Sequence, residues 1–158
     1  MAKLDALILY LGCLATLLLC TGCVSAGDPA PIRLSEPGWR VQTGQAVWKP
    51  GRGRPEIAGE LFIACHEDGR RLVRFDKTPF PMVAATLSTN AWTITFPAAR
   101  LRFAGHGTPP SRFTWLQLPS ALDGRPLPGG IVFQRLSEGC WRMENKGMRE
   151  HVEGYLSP

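Results

Sequence analysis

Short segments in which apolar and polar residues alternate fill the chain from Trp39 to Leu156. Clusters rich in Gly, Pro, Asn and Asp separate these segments, and the chain contains 17 Gly and 14 Pro. Alternation with a period of two places every second side chain on one face of a strand, which is typical of antiparallel sheets with one buried face. The sequence therefore predicts an all-β domain over residues 38–158, with about eight strands.

One apolar face is expected to run through the whole sheet. In the best-patterned segment, Trp92, Ile94 and Phe96 alternate with two threonines, and the next segment alternates apolar residues with arginines. Applied to all segments, the same rule predicts an inner face that includes eight apolar side chains: Ile63, Phe75, Trp92, Ile94, Phe96, Phe103, Phe133 and Trp141.

Two places interrupt this alternation. The pattern that starts at Trp39 shifts by one residue at Gly44, which predicts a β-bulge. Further along, a proline stands on each side of Phe80. Because proline cannot donate to a sheet ladder, we predict an extended loop over residues 78–81 and a following strand from about Met82 to Ser88.

One segment departs from the strand pattern. Between Ser111 and Leu122 the apolar residues follow no fixed spacing, Ser111 can cap a first helical turn, and Pro119 can begin a second. The sequence predicts one short helical segment here, of one or two turns.

The N-terminus has the pattern of an export signal. Lys3 supplies a positive charge, and the apolar run from Ala6 to Leu19 has the length of a signal-peptide core and is short for a membrane span. The residues that follow, Leu-Cys-Thr-Gly-Cys ending at Cys23, resemble the bacterial lipobox, although Cys20 stands where that pattern prefers an aliphatic residue. The resemblance implies that residues 1–22 are removed and that Cys23 carries the acyl anchor.

Two other interpretations of the N-terminus remain open: secretion after cleavage near Ala26, or an uncleaved membrane helix. Each of them also places the domain outside the cytoplasm. Residues 23–37 are rich in Pro, Gly, Ala and Ser and are predicted to be a lipidated tether. Val24 follows the anchor where an aspartate would signal inner-membrane retention, so by analogy with envelope sorting we expect the outer membrane, facing the periplasm.

The charge distribution and the cysteines limit which partners and which cross-links the domain is expected to have. Loss of Lys3 and Asp5 with the signal leaves the net charge at +5, and the bases are spread along the chain. This distribution favours anionic lipid or a solubilising surface over a nucleic-acid partner. Cys65 and Cys140 remain in a compartment that permits disulfides, so we expect a disulfide between them, with two buried thiols as the alternative.

The anchor, the tether and the opening Trp-x-Val-x-x-Gly-x-Ala of residues 39–46 together resemble the periplasmic lipoprotein-carrier and receptor superfamily of LolA and LolB. Leu116, Leu118, Leu122 and Gly124 resemble the helical segment before that family's last strands. The resemblance implies a curved, half-barrel-like sheet around a cavity for an acyl chain or lipoprotein cargo, with no cofactor and no bond chemistry. It also implies a membrane-facing loop, here Phe80 and Met82. The alternative is that Phe80 folds back as a plug.

No catalytic or metal site is predicted. Cys65 and His66 are adjacent on a strand and therefore point to opposite faces, so they cannot act as a nucleophile and base pair. His66, His106 and His151 lie far apart in sequence, without the spacing of a metal site. We do not expect an enzyme.

Two hypotheses follow. In the first, the inner face lines a cavity for an acyl chain or another apolar ligand. In the second, the same side chains fill a closed core, and the protein is a non-catalytic structural lipoprotein that holds an envelope protein partner. The number of strands does not distinguish the two hypotheses, because the interior of a barrel of about eight strands is either filled by side chains or able to hold one small ligand.

Overall fold

Nine β-strands and one α-helix make up the computed structural model, which describes residues 32–157. The strands are β1 (Trp39–Lys49), β2 (Ile57–His66), β3 (Arg71–Lys77), β4 (Phe80–Leu87), β5 (Ala91–Phe96), β6 (Leu101–His106), β7 (Ile131–Ser137), β8 (Cys140–Asn145) and β9 (Glu150–Leu156). A 3-10 helix (Pro97–Ala99) joins β5 to β6, and the helix α1 (Thr114–Leu122) lies between β6 and β7. The predicted class, all-β with one helical segment, is confirmed. The predicted signal peptide, Cys23 and most of the predicted tether lie outside the described residues.

All nine strands belong to one antiparallel sheet with the order β6-β5-β4-β3-β2-β1-β9-β8-β7. Strands β1 to β6 follow one another as hairpins, whereas β9 pairs with the free side of β1 and brings β8 and β7 with it. The first strand therefore lies inside the sheet. Strands β6 and β7 are the two edges and do not pair with each other, so the sheet is curved but not closed.

The inner face of the sheet is the one that α1 covers. The predicted alternation is confirmed here, because directly paired residues such as Ile63 and Val73, or Ala85 and Ile94, lie on the same face and are buried. A single cluster of apolar side chains joins this face to the helix. Burial of that cluster supplies the main stabilising term of the fold.

Helix α1 packs its apolar residues into the concave side of the sheet. Trp115 is 1% exposed, and its ring lies 5.0 Å from that of Phe75 and 5.6 Å from that of Trp48, measured between centroids. Leu116 and Leu118 are also buried. The helix therefore fills the middle of the curve.

The predicted bulge at Gly44 is wrong. Strand β1 pairs with β2 in unbroken register from Trp39 to Trp48. Gly44 lies on the inner face, where a Cβ atom would overlap the carbonyl oxygen of Tyr155 on β9. Trp39 and Val41 lie on the outer face, whereas Ala46 and Trp48 lie on the inner face. The apolar residues change face along β1 without a bulge, because the inner position 44 is a glycine and carries no apolar side chain.

The predicted loop over residues 78–81 is also wrong. A two-residue turn joins β3 to β4, and β4 begins at Phe80, which pairs with Lys77. A register shift between Phe75 and Asp76 places Pro81 opposite Asp76. Such a bulge disrupts the ladder locally, which is where a proline in a sheet is tolerated.

Ser111 does not cap the helix. Phe113 occupies the N-cap position without a side-chain hydrogen bond, and Pro119 lies inside α1 instead of starting a second turn. The hydroxyl of Thr114, the first helical residue, instead donates to the carboxylate of Glu150 on β9. A tertiary contact therefore holds the start of the helix in place of a local cap.

The sheet has two different ends. The first, which we call the groove end, carries the β1–β2, β3–β4, β5–β6 and β8–β9 connections, at residues 50–56, 78–79, 97–100 and 146–149. The second, which we call the pinned end, carries residues 32–38, the β2–β3 turn and the C-terminus of α1. Helix α1 runs from the groove end to the pinned end. Thr114 at its start contacts Glu150, the first residue of β9, and Asp123 just after its end contacts Arg71, the first residue of β3.

Polar contacts fix the pinned end. The guanidinium of Arg70 lies 2.8 Å from the carboxylate of Glu36, and the ring of His66 lies 2.9 Å from the carbonyl oxygen of Pro37. Residues 33–37, which fall in the predicted tether, are therefore packed against the sheet. On the inner face, the buried guanidinium of Arg71 lies 2.9 Å from the carboxylate of Asp123 and ties the end of α1 to β3.

Candidate functional site

An apolar groove opens on the inner side of the sheet at the groove end. It lies between strands β4 to β6, the ends of β1 and β9 and the start of α1, and its volume is about 470 Å³. Pockets that hold small ligands are typically about 300–1,000 Å³ and mostly apolar. The main apolar walls are Trp48, Met82, Phe96, Phe103, Phe113 and Trp115.

Aromatic contacts build the walls of the apolar groove. The Phe103 and Phe113 ring centroids are 5.1 Å apart, and those of Trp48 and Phe96 are 6.3 Å apart with nearly parallel planes. These rings come from strands on both sides of the groove and from the segment just before α1. The groove is therefore a preformed feature of the core packing.

The eight predicted inner-face residues divide into two groups. All eight lie on the inner face, and five of them are at most 7% exposed within the core: Ile63, Phe75, Trp92, Ile94 and Trp141. Phe96 and Phe103 line the apolar groove. Phe133 is half-buried against Trp141, at 6.2 Å between ring centroids, outside the groove. The structure thus brings two of the eight together at the cavity.

Sequence reasoning missed several groove residues. Trp48 follows the alternation of β1 once Gly44 is recognised as an inner position. Phe113 and Trp115 reach the groove because α1 folds across the sheet, and no local pattern in the sequence specifies that placement.

The floor of the apolar groove contains one acidic residue, Glu150. It is 8% exposed, and its carboxylate accepts hydrogen bonds from the indole N–H of Trp48 at 2.6 Å and from the hydroxyl of Thr114. The amide of Asn145 donates to the hydroxyl oxygen of Thr114 at 3.2 Å and to the carbonyl oxygen of Ser111 at 2.7 Å. This network joins β1, β8, β9 and α1 at one point.

Burial raises the pKa of the Glu150 carboxyl above its ordinary value of 4.5, and the hydrogen bonds from Thr114 and Trp48 offset part of the rise. The alternation that places His151 and Glu153 on the outer face also places Glu150 on the inner face. The sequence therefore contained this signal, but a lone glutamate in a polar segment is ordinarily a surface residue.

Phe80 and Met82 lie next to each other at the groove end but in different surroundings. Phe80 is 65% exposed at the β3–β4 turn, whereas Met82 is half-buried and lines the groove. The alternative in which Phe80 folds back as a plug is therefore wrong. The register shift of β4 lies between these two surroundings, because Pro81 pairs with Asp76 and Val83 pairs with Phe75, which leaves Met82 as the extra residue.

The predicted disulfide is wrong, because Cys65 and Cys140 are free thiols. Cys65 lies on the inner face of β2 and Cys140 on the outer face of β8, with β1 and β9 between them. Three strand spacings of about 4.8 Å separate the two chains, far more than the Cα distance of about 4.4–6.8 Å that a disulfide requires. Burial raises the pKa of the Cys65 thiol.

A second cavity, of about 710 Å³, lies on the outer face over β2, β1, β9 and β8. Its walls are charged as well as apolar, and they include the ion pair of Arg142 with Glu153 at 2.7 Å. Leu136 and Tyr155 are its exposed apolar residues. Although larger, this cavity lacks the continuous aromatic wall of the apolar groove, so the groove is the stronger candidate for a ligand site.

Nothing in residues 32–157 points to a metal centre, since no three His, Cys, Asp or Glu side chains of that range meet in a possible ligand group. In the same range no helix is long and apolar enough to cross a membrane. Neither a scan against protein-family models nor a search among curated proteins finds a match to this chain.

Proposed function

We propose that this protein is an envelope lipoprotein, anchored through Cys23 in the outer membrane and facing the periplasm, which binds or transfers an apolar or acyl ligand. The ligand chain lies in the apolar groove, with Trp48, Phe96 and Phe103 against it. No bond of the ligand is made or broken.

The apolar groove itself is the observation that carries this proposal. The half-buried side chains of Met82, Phe96 and Phe103 border an open cavity of about 470 Å³ and leave apolar surface that an occupant would bury. The hydrophobic effect stabilises such a complex by about 0.8 kcal/mol for each CH₂ group removed from water, before the cost of association. A flexible chain that runs along the ring faces fits this shape.

The β3–β4 turn belongs to the same proposal. In this proposal Phe80, exposed at the β3–β4 turn near Met82, faces the membrane from which a chain enters or leaves the groove. Aromatic side chains are favoured at the interface between lipid and water.

A second candidate is a non-catalytic structural lipoprotein that holds an envelope protein partner. It is supported by α1, which fills the middle of the curve with Trp115, Leu116 and Leu118 and leaves a cavity only at one end. In that case the groove is a packing defect of the rim without a ligand.

A groove-blocking variant separates the two candidates. Ala99 lines the apolar groove, and Ala104 is exposed on the outer face of β6. Ala99→Trp should therefore fill the groove, while Ala104→Trp adds the same ring elsewhere. We expect wild type and Ala104→Trp to carry lipid through purification, detected by mass spectrometry, and to bind a fluorescent fatty acid. Ala99→Trp should lose both. Equal binding by all three proteins, or by none, would favour the structural candidate.

The anchor has its own test. Cys23→Ser removes the sulfur that would be acylated, so the variant should leave the membrane fraction that holds the wild type. Retention of the variant in that fraction would contradict the anchor assignment without affecting the groove.

A further inference from the structure

Cationic side chains gather at the groove end of the sheet. Six exposed bases lie on the connections of the groove end or at its strand ends: Arg52, Arg54, Lys77, Arg100, Lys146 and Arg149. None of the six forms an ion pair with another described residue. Arg112, at the groove wall, lies over the rings of Phe113 and Phe103. We call these seven residues the cationic rim.

Acidic groups do not neutralise the cationic rim. At this end of the sheet, Glu56 pairs with Lys49 at 3.4 Å, and Asp76 pairs with Arg74 at 2.8 Å. Glu150 is buried in the floor of the groove, and Glu60 and Glu144 point to the outer face of β2 and β8. The groove end therefore carries an excess of exposed positive charge among the described residues.

Exposed apolar side chains stand among these cations. Phe80, Leu101 and Met148 are 65%, 50% and 50% exposed, and all three lie at the groove end. Basic groups interspersed with large apolar ones are characteristic of surfaces that bind anionic membranes, because the charges attract the headgroups while the apolar side chains enter the interface.

Two of the cations are held in an unusual backbone conformation. Arg100 and Arg149 have φ of 54° and 52°, in the left-handed region that non-glycine residues rarely adopt. They adjoin Leu101 and Met148, one on each side of the groove. The local folds of the 3-10 helix and of the β8–β9 turn thus present a cation beside an exposed apolar residue twice.

We propose that the groove end docks on the anionic surface of a phospholipid bilayer, with the cationic rim on the headgroups and Phe80, Leu101 and Met148 in the interface. This docking does not require the groove to hold a chain, so an experiment can refute membrane docking and leave ligand binding untouched, or the reverse. Each cation near an anionic bilayer strengthens binding by about fivefold.

Matched pairs of substitutions test the docking. Arg100→Asn with Arg149→Asn removes two rim charges and uses a residue that tolerates positive φ. Arg33→Gln with Arg40→Gln removes two exposed charges at the pinned end and gives the same net charge. All are made in the full chain carrying Cys23→Ser, so that residues 1–31 are identical in every protein and their contribution cancels.

Sedimentation with vesicles of phosphatidylcholine, with or without phosphatidylglycerol, gives the readout. Loss of the two rim charges should weaken binding to the anionic vesicles about 25-fold, while the control pair changes it less than about twofold. Neutral vesicles should not distinguish the proteins. Equal weakening by both pairs would reveal a net-charge effect and overturn the proposal, as would no weakening by the rim pair. If the rim pair fails to fold, Arg52→Gln with Arg54→Gln carries the same expectation and the same refutation.

Discussion

Two arginines of the pinned end and the arginines of the cationic rim differ in what they contact. At the pinned end, the guanidinium groups of Arg70 and Arg71 pair with Glu36, Asp68 and Asp123 and tie separate segments together. At the groove end, the arginines of the cationic rim pair with no carboxylate among residues 32–157, although Lys49 and Arg74 there do have acidic partners. The pairs of Arg70 and Arg71 therefore belong to the scaffold, whereas the charges of the cationic rim remain available at the surface.

The largest expected effect contrasts the aromatic wall of the groove with the exposed β3–β4 turn. Trp115→Ala removes a side chain that is 1% exposed and stacked on Phe75, so unfolding free energy should fall by about 3–5 kcal/mol. Phe80→Ala, at 65% exposure, should change it by less than about 0.5 kcal/mol. Denaturant melts followed by circular dichroism measure both. A large loss for Phe80→Ala would make the hairpin tip structural and remove it from the membrane-facing surface.

The next effect compares an arginine from each end. Arg71→Ala removes the 2.9 Å ion pair of Asp123, which keeps its 3.6 Å contact with Arg125, and leaves Ser120 without its hydrogen-bond donor at the end of α1. We therefore expect the free energy of unfolding to fall by about 2–3 kcal/mol. Arg149→Asn keeps the positive φ and breaks no ion pair, so its effect should stay within about 0.5 kcal/mol. Equal destabilisation by the two substitutions in chemical denaturation would contradict the claim that Arg71 supports the fold while Arg149 does not.

Glu150 gives a smaller, pH-dependent effect. Because its folded-state pKa is raised above 4.5, the folded protein binds the proton more tightly than the unfolded chain. Its contribution to stability is therefore fully present below about pH 4.5 and declines as pH rises through the raised pKa. The pKa of Asp68 is lowered from its ordinary value of 3.8, chiefly by the hydrogen bond from the backbone N–H of Arg70. The contribution of Asp68 to stability is therefore present above about pH 3.8 and is lost as pH falls through the lowered pKa, at lower pH than the effect of Glu150.

Glu150→Gln should remove that decline. The measurement is the difference in unfolding free energy between wild type and variant across this pH range, with Glu153→Gln on the outer face as the matched control. A difference that does not change with pH would mean that the carboxyl is not desolvated at the groove floor.

Local pattern alone predicted the sheet and its inner face, because alternation at Trp92, Ile94, Phe96 and Phe103 follows from the geometry of a strand. The local pattern failed where a residue's position depends on contacts with distant parts of the chain. Gly44 leaves no apolar mark at an inner position, and only the carbonyl of Tyr155, from the far end of the chain, explains why it is glycine.

The candidate site depended still more on long-range pairing. The placement of β9 beside β1 brings Glu150 to Trp48, 102 residues away, and it also keeps Cys65 and Cys140 on opposite faces. Distance along the sequence predicts neither the contact of Glu150 with Trp48 nor the separation of the two cysteines. The groove could be predicted as a class of site from the apolar face, but its position at one end required the path of α1.

The groove as a chain-binding site is tested most directly by its own fluorescence. Trp48 and Trp115 line the groove, whereas Trp39 lies at the pinned end. A fatty acid brominated along its chain should quench the emission, and quenching should fall sharply in the double variant Trp48→Phe with Trp115→Phe but not in Trp39→Phe. Absence of quenching in the wild type, or quenching that depends on Trp39 instead, would contradict a chain in the groove.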